Sequence, residues 1–216
     1  MSILLACGVA APLLYAAMNV IGPMQYPGYD WTSQSVSELS AIGTSSRPLW
    51  AMLGYAYEAL LILFGLGVLQ TAGRSRPLRV IRGLLVANAV IGLTWPPMHP
   101  RGAGFTTTDT LHIVWTGASL LLFLSIMGFG ATALGTRFRW YTIGTIAVHV
   151  LFGTLTGLAG PRIAANLPTP WSGVFERINI GAYMIWLGIL ATLLLRSSGR
   201  TANEAGKPAM LTRRAA

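Results

Sequence analysis

The chain alternates long apolar runs with short polar, Pro-, Gly- or Arg-containing breaks. The apolar runs fall at about 2–22, 48–70, 79–95, 109–134, 140–160 and 171–195. Each is near the roughly 20 apolar residues that a helix needs to cross a bilayer. Pro23, the pair Pro96-Pro97 and Pro161 stand at the ends of the first, third and fifth runs. Proline lacks the amide donor and clashes with the preceding turn, so these positions read as helix ends. Thr136-Arg137-Phe138-Arg139 reads as a short turn between the fourth and fifth runs. The pattern predicts an all-α, polytopic membrane protein with a bundle of six transmembrane helices. One domain, 1–195, holds all six, and 196–216 is expected to be a basic, disordered tail.

Composition narrows this further. Of 216 residues, 53% are hydrophobic and only 10% charged, against roughly 25% charged in a typical soluble domain. A net charge of +9 would suit a nucleic-acid partner. The basic residues sit between apolar runs, however, and not on one soluble face, so no nucleic acid is expected. The expected partner is the lipid bilayer, with a lipid or small-molecule ligand as the candidate beyond it. Cys7 is the single cysteine, which excludes an intrachain disulfide. Leu4-Leu5-Ala6-Cys7 resembles a lipoprotein cleavage box, but no basic residue precedes it. No cofactor is expected.

Charge gives a direction. Arg74, Arg76, Arg79, Arg82, Arg137, Arg139, Arg196, Arg200, Lys207, Arg213 and Arg214 fall on one side, and Arg47, Arg101, Arg162 and Arg177 on the other. The positive-inside rule makes the richer side cytoplasmic, with both termini there, in the cell membrane. Trp31, Trp50, Trp95, Trp115 and Trp171 are then expected as an aromatic belt at the outer boundary. Asp30, Glu38, Asp109, Glu176, His99 and His112 also fall on the outer side.

Candidate chemistry follows from those polar groups. Ser35 and Glu38 have capping-box spacing, and Gly43 suits a left-handed cap, so a short interfacial helix is expected there. Ser37, Glu38 and Ser40 would either cap it or face a polar pocket. Thr106 and Asp109 repeat the capping-box spacing at the fourth span. Asp109 and His112 lie three apart on one face, where the carboxylate could fix the imidazole tautomer. Either this is a cap beside an interfacial histidine, or Asp109, His112 and Glu38 form a catalytic group. Arg177, near the hydrocarbon region, needs a partner, expected to be Asp109 or Glu38. Ser37, His99, Glu176 and Arg177 are candidate ligand-binding residues. A zinc site from His99, His112 and Glu176 has suitable donors, but paired-Cys and HExxH spacings are absent, so no metal is expected. A Ser37–His112–Asp109 triad lacks a nucleophile elbow.

Glu58, His149 and Asn88 are intramembrane polar candidates, Glu58 roughly 15 Å into its span by helical rise. A Glu58–His149 pair or proton relay competes with plain interhelical hydrogen bonding. Gly65-Leu66-Gly67 and Gly153, Gly157 and Gly160 read as close helix packing.

Ser35-Val36-Ser37-Glu38-Leu39-Ser40-Ala41, the Pro97–Gly102 link, Leu111-His112 and Phe175-Glu176-Arg177-Ile178 together resemble the bacterial and archaeal six-span membrane family called domain of unknown function 998. The resemblance covers about the first 195 residues. It implies an integral membrane protein, no established activity, and shared polar positions at Ser37, Glu38, His112 and Arg177. His99 stands where the resemblance would imply an Asp, and Glu58 and His149 are not part of it. Function is expected to be binding, transport or interaction through an outward polar pocket. The alternative is an intramembrane hydrolase or transferase acting on a lipid-linked substrate.

Overall fold

The computed structural model describes residues 2–205. They form six helices: α1 (Ser2–Met24), α2 (Arg47–Ala72), α3 (Arg76–Leu93), α4 (Thr107–Ala133), α5 (Gly135–Ala164) and α6 (Ser172–Ala205). A single 3-10 turn, Ser37–Ser40, lies in the first link, and no strand occurs among the described residues. The expected interfacial helix is therefore only this one turn, followed by Gly43 at φ 84°.

Five helices are long and apolar enough to cross a membrane. The exception is α3, 18 residues long, which opens with Arg76, Arg79 and Arg82. Arginines at a helix end can carry their heads to the interface along their apolar stems. The outer surface is suited to lipid. Ile3 is 82% exposed, Leu158 69%, Leu121 67% and Ile185 63%. Apolar side chains projecting outward from several helices would be an aggregation hazard in water. The chain is a helical, membrane-embedded protein.

Several helix ends differ from their expected places. α1 passes through Pro12 and Pro23 and ends at Met24, and α5 passes through Pro161 to Ala164. A proline in the last turn removes only one hydrogen bond from a helix about to end, so the helix can run a few residues past it. The expected turn at 136–139 belongs to α5. The reversal is completed at Leu134 and Gly135, whose φ of 58° is a conformation glycine adopts without strain. α6 continues to Ala205, ten residues past the expected end of the span. Positions 206–216 of the expected tail lie outside the described residues.

The helices form a closed ring in chain order, with α6 packed on α1. Neighbours run antiparallel. Gly67 of α2 lies against Leu4 and Leu5 at the start of α1, whereas Gly22 near the end of α1 lies against Trp50. Close approaches depend on glycine. A Cβ at Gly67 would meet the Leu5 nitrogen at 2.9 Å, and a Cβ at Gly130 would run into the Trp186 ring. Gly65 and Gly153 also face neighbouring helices, but Gly157 and Gly160 have open space where a Cβ would go, so their packing role is not realised.

The arginine-rich half of the ring is filled. Leu5, Phe64, Leu61, Ile81, Ile126, Leu187 and Trp186 are fully buried there. Trp186 Nε1 donates to Thr142 Oγ1 at 2.8 Å, which satisfies the one polar atom of a large apolar anchor. The other half is hollow.

Gly67→Leu is expected to lower the stability of the purified protein by about 1–3 kcal/mol, because the α1 backbone cannot retreat from the new side chain. Gly144, with nothing within 4 Å of its Cβ position, is the control: Gly144→Ala should leave thermal unfolding in detergent unchanged or slightly raised.

Candidate functional site

Three irregular segments, 25–46, 94–106 and 165–171, meet at one end of the ring and form a lid. Irregular backbone has unpaired amides and carbonyls, and the three segments pair them with one another. The Ile42 amide donates to the Met98 carbonyl at 2.9 Å, and the Gly173 amide donates to the Thr32 carbonyl at 3.0 Å. The second bond occupies one of the free amides that every helix N-terminus leaves. Val36, Leu39 and Ala41 are buried as apolar plugs.

Arg101 joins the three segments. Its Nε donates to Glu38 Oε1 at 2.6 Å and its Nη2 to Glu38 Oε2 at 2.9 Å, a bidentate pair. Nη2 also reaches the Ser33 carbonyl at 3.0 Å, and Nη1 reaches Thr169 Oγ1 at 2.8 Å. Glu38 is 2% exposed and accepts from the Ser35 amide at 2.7 Å. That is half of the expected capping box, since Ser35 makes no side-chain cap. Burial works against the Glu38 charge. The Arg101 guanidinium and the Ser35 amide outweigh it and hold the carboxyl below its ordinary value. Asp30, on the lid surface, is held down to about 2 by hydrogen bonds from Ser33 and Thr32.

Arg177 does not pair with Asp109 or Glu38, as expected from the sequence. Its Nη1 donates to the carbonyls of Trp31 and Gly173, both at 3.0 Å, and its Nη2 to Tyr29 Oη at 2.7 Å. Its guanidinium lies 4.3 Å from the centre of the Trp31 ring. Carbonyl dipoles and a π face therefore take the place of a carboxylate.

Asp109 makes the expected capping box with Thr106. Its second partner is His99, whose amide donates to Oδ1 at 2.7 Å and whose Nδ1 lies 3.0 Å from Oδ2. His112 is not hydrogen-bonded to Asp109. Its Nδ1 lies 2.8 Å from the Pro96 carbonyl and 3.2 Å from Trp95 Nε1. The shorter contact fits a proton on Nδ1. Glu176 accepts from the Val36 amide at 2.5 Å and from Ser37 Oγ at 3.1 Å. Among the described residues, no three His, Cys, Asp or Glu side chains are placed to hold a metal ion. The zinc set of His99, His112 and Glu176 is not assembled. Glu38, Asp109 and His112 each belong to a separate hydrogen-bonded group.

Under the lid lies a partly enclosed cavity of about 370 Å³, lined by side chains from all six helices. Val36, Ser37 and Ser40 of the lid border it. Its walls are mainly aromatic and aliphatic, with Tyr15, Trp50, Tyr57 and Phe123 prominent. Trp50, at the start of α2, and Trp95, just after α3, line this cavity at its lid end. Trp31 and Trp171 are 46% and 59% exposed.

The deep polar residues divide around the cavity. His149 does not meet Glu58. Its Nδ1 lies 3.0 Å from the Asn179 carbonyl, and Asn179 Nδ2 donates to the His149 carbonyl at 2.6 Å. Glu58 and Asn88 line the cavity, and Glu58 Oε2 and Asn88 Oδ1 are buried without a hydrogen-bond partner. Gly92 makes room for Glu58, since a Cβ there would overlap its carboxyl group.

A family model described as "Protein of unknown function (DUF998)" matches residues 9–193. The chain belongs to this family. No curated protein and no solved structure matches it. The match runs from Val9 in α1 to Leu193 in α6, so the lid and every residue lining the cavity of this DUF998 protein lie inside the family region.

Sequence reasoning did not single out Arg101, Tyr29, Gly92 or Asn179. Arg101 had a signal: it is the one arginine of the Pro97–Gly102 link, on the side of the chain that carries Asp30, Glu38, Asp109 and Glu176.

Arg101→Ala is expected to destabilise the protein by about 3 kcal/mol, because it leaves the buried Glu38 carboxylate unpaired. Arg101→Lys should recover only part, since an ammonium cannot make the bidentate contact. Thermal unfolding in detergent measures both. The pH dependence has a definite sign. Glu38 has a folded value below its unfolded one, so its contribution is complete above the unfolded carboxyl value of about 4.3. It is lost as pH falls through the depressed folded value. Acid titration of unfolding should show this loss, and Glu38→Gln should flatten the part due to this residue.

Proposed function

We propose that this DUF998 protein is a binding protein of the cell membrane whose central cavity holds a small amphipathic ligand. The orientation we propose places the arginine-rich end and both termini in the cytoplasm, as the positive-inside rule requires, and the lid outside. The observation that carries the reading is the cavity. Its about 370 Å³ falls within the size of small-molecule sites, roughly 300–1,000 Å³. Such sites are mainly apolar with a few convergent polar groups, which describes these walls.

The lid supports the reading. The Ser37 hydroxyl and the Val36 amide are tied to Glu176 at the start of α6, so the cavity's cover and wall are one hydrogen-bonded unit. A hydrolase or transferase would need Glu38, Asp109 and His112 around one substrate, and no observation favours that arrangement.

The test is recovery of a bound molecule. The full chain, purified from native membranes in mild detergent, should carry a stoichiometric small molecule or lipid by native mass spectrometry. Gly54 lines the cavity and has open space at its Cβ position. Gly54→Leu should therefore expel the molecule while leaving a monodisperse protein. Wild-type protein that is empty, or a Gly54→Leu variant that keeps its ligand, would defeat the proposal. A reporter fused at Arg137 tests the orientation and should report the cytoplasm.

A further inference from the structure

The binding reading leaves open which chemistry the cavity selects, and its two unpaired oxygens bear on that. Asn88 is 4% exposed, lines the cavity, and has an Oδ1 with no partner. Glu58 Oε2 is likewise buried and unpartnered. The two groups share one wall. The Glu58 carboxyl sits against Gly92, and Asn88 precedes Gly92 by one turn of α3, about 6 Å of helical rise.

Protein cations do not serve this wall. The lining includes one basic residue, Arg47. It is three turns from Glu58 along α2, about 16 Å by helical rise. His149 is not among the residues lining the cavity, and its Nδ1 is engaged with the Asn179 carbonyl. The second lining carboxylate, Glu176, is occupied by Val36 and Ser37. A carboxylate in such a place is costly until it is neutralised or paired. Both unpaired atoms are oxygens, and what they lack is a donor. Around them stand aromatic rings. Tyr15 packs on Trp50 and Tyr57 with ring centres 6.2 Å and 5.6 Å apart, and π faces favour an ammonium group.

We propose that the cavity takes a compact apolar amine in its ammonium form, held by the Glu58 carboxylate and the Asn88 side-chain oxygen. The proposal rests on the binding reading above and adds the headgroup to it. A primary ammonium has an N–H for each oxygen. A quaternary ammonium has none, and an anion would meet a carboxylate. The aromatic and aliphatic walls receive the apolar body.

The experiment uses three compounds of one shape: 1-adamantylamine, adamantan-1-ol and adamantane-1-carboxylate. Binding to the full chain in detergent is followed by tryptophan fluorescence and thermal shift. The amine should bind the wild type more tightly than the alcohol, and the carboxylate should not bind. Glu58→Gln should weaken amine binding by roughly ten- to a hundredfold and alcohol binding far less, since a neutral hydroxyl loses only a hydrogen bond and no ion pair. Asn88→Ala should weaken it about tenfold, and it decides the matter if Glu58→Gln does not yield monodisperse protein. Amine affinity unchanged in these variants, or an alcohol or carboxylate that binds as tightly as the amine, overturns this inference and leaves the binding reading standing. Failure of all three compounds to bind also overturns this inference, whereas the binding reading stands or falls on the molecule recovered from native membranes.

Discussion

Hydrocarbon offers no hydrogen bonds, so every backbone amide and carbonyl at membrane depth must be satisfied inside the protein. This constraint confines the chain to helices through the bilayer and moves irregular backbone to the two ends. The arginine-rich end meets it with short reversals, such as the one at Leu134–Gly135. The opposite end has three longer segments and meets it by pairing them. Arg101 is suited to that task, because a guanidinium has five donors in a fixed fork. It spends them on a carboxylate, a hydroxyl and a carbonyl from two other segments. The lid is thus a consequence of the same solvent that makes the helices.

The ring of helices has unequal halves for a reason that lies in side-chain volume. Around Trp186, large residues meet glycine, as at Gly130, or meet each other flat, as where Phe123 stacks on Tyr183 at 3.9 Å. Toward the lid the inward positions include Gly54, Gly157, Ser119 and Ala51. Small residues on several helices at one level leave space that no neighbour fills. Tyr183 and Phe123 stand at the division between the packed half and the open half.

Much of this architecture was legible in the sequence. Apolar runs near 20 residues can hardly be anything but helices in lipid. The Thr106–Asp109 cap and the left-handed Gly43 follow from local rules that tertiary context did not disturb. Partner choice was a different matter. Glu38 and Arg101 are 63 residues apart, and nothing local distinguishes that pairing from Glu38 with Arg177. Arg177 was harder still, since its partners are carbonyls, which every residue has. Helix ends beyond Pro23 and Pro161 were misplaced because proline disfavours a helix interior far more than a last turn. The cavity was not legible at all, because it depends on how six faces of unequal volume come together.

What separates structural from functional polarity here is satisfaction and not residue type. Glu38, Asp109, Glu176 and Arg177 are charged, and the sequence marks them first. Each has several partners and holds part of the lid. Charge at one face of the chain directed the catalytic and ligand-binding candidates of the sequence to positions in and around the lid, at Glu38, Asp109, His112, Ser37, His99, Glu176 and Arg177. Glu58 and Asn88 are less conspicuous, yet they alone combine a place on the cavity wall with a buried oxygen that lacks a partner among the described residues. An unpaired buried acceptor costs on the order of 1–3 kcal/mol. A fold that has satisfied nearly every polar group in the lid could have given these two a serine or a histidine across the ring. His149 instead turns to Asn179. The two oxygens are therefore where a bound donor would recover the most free energy.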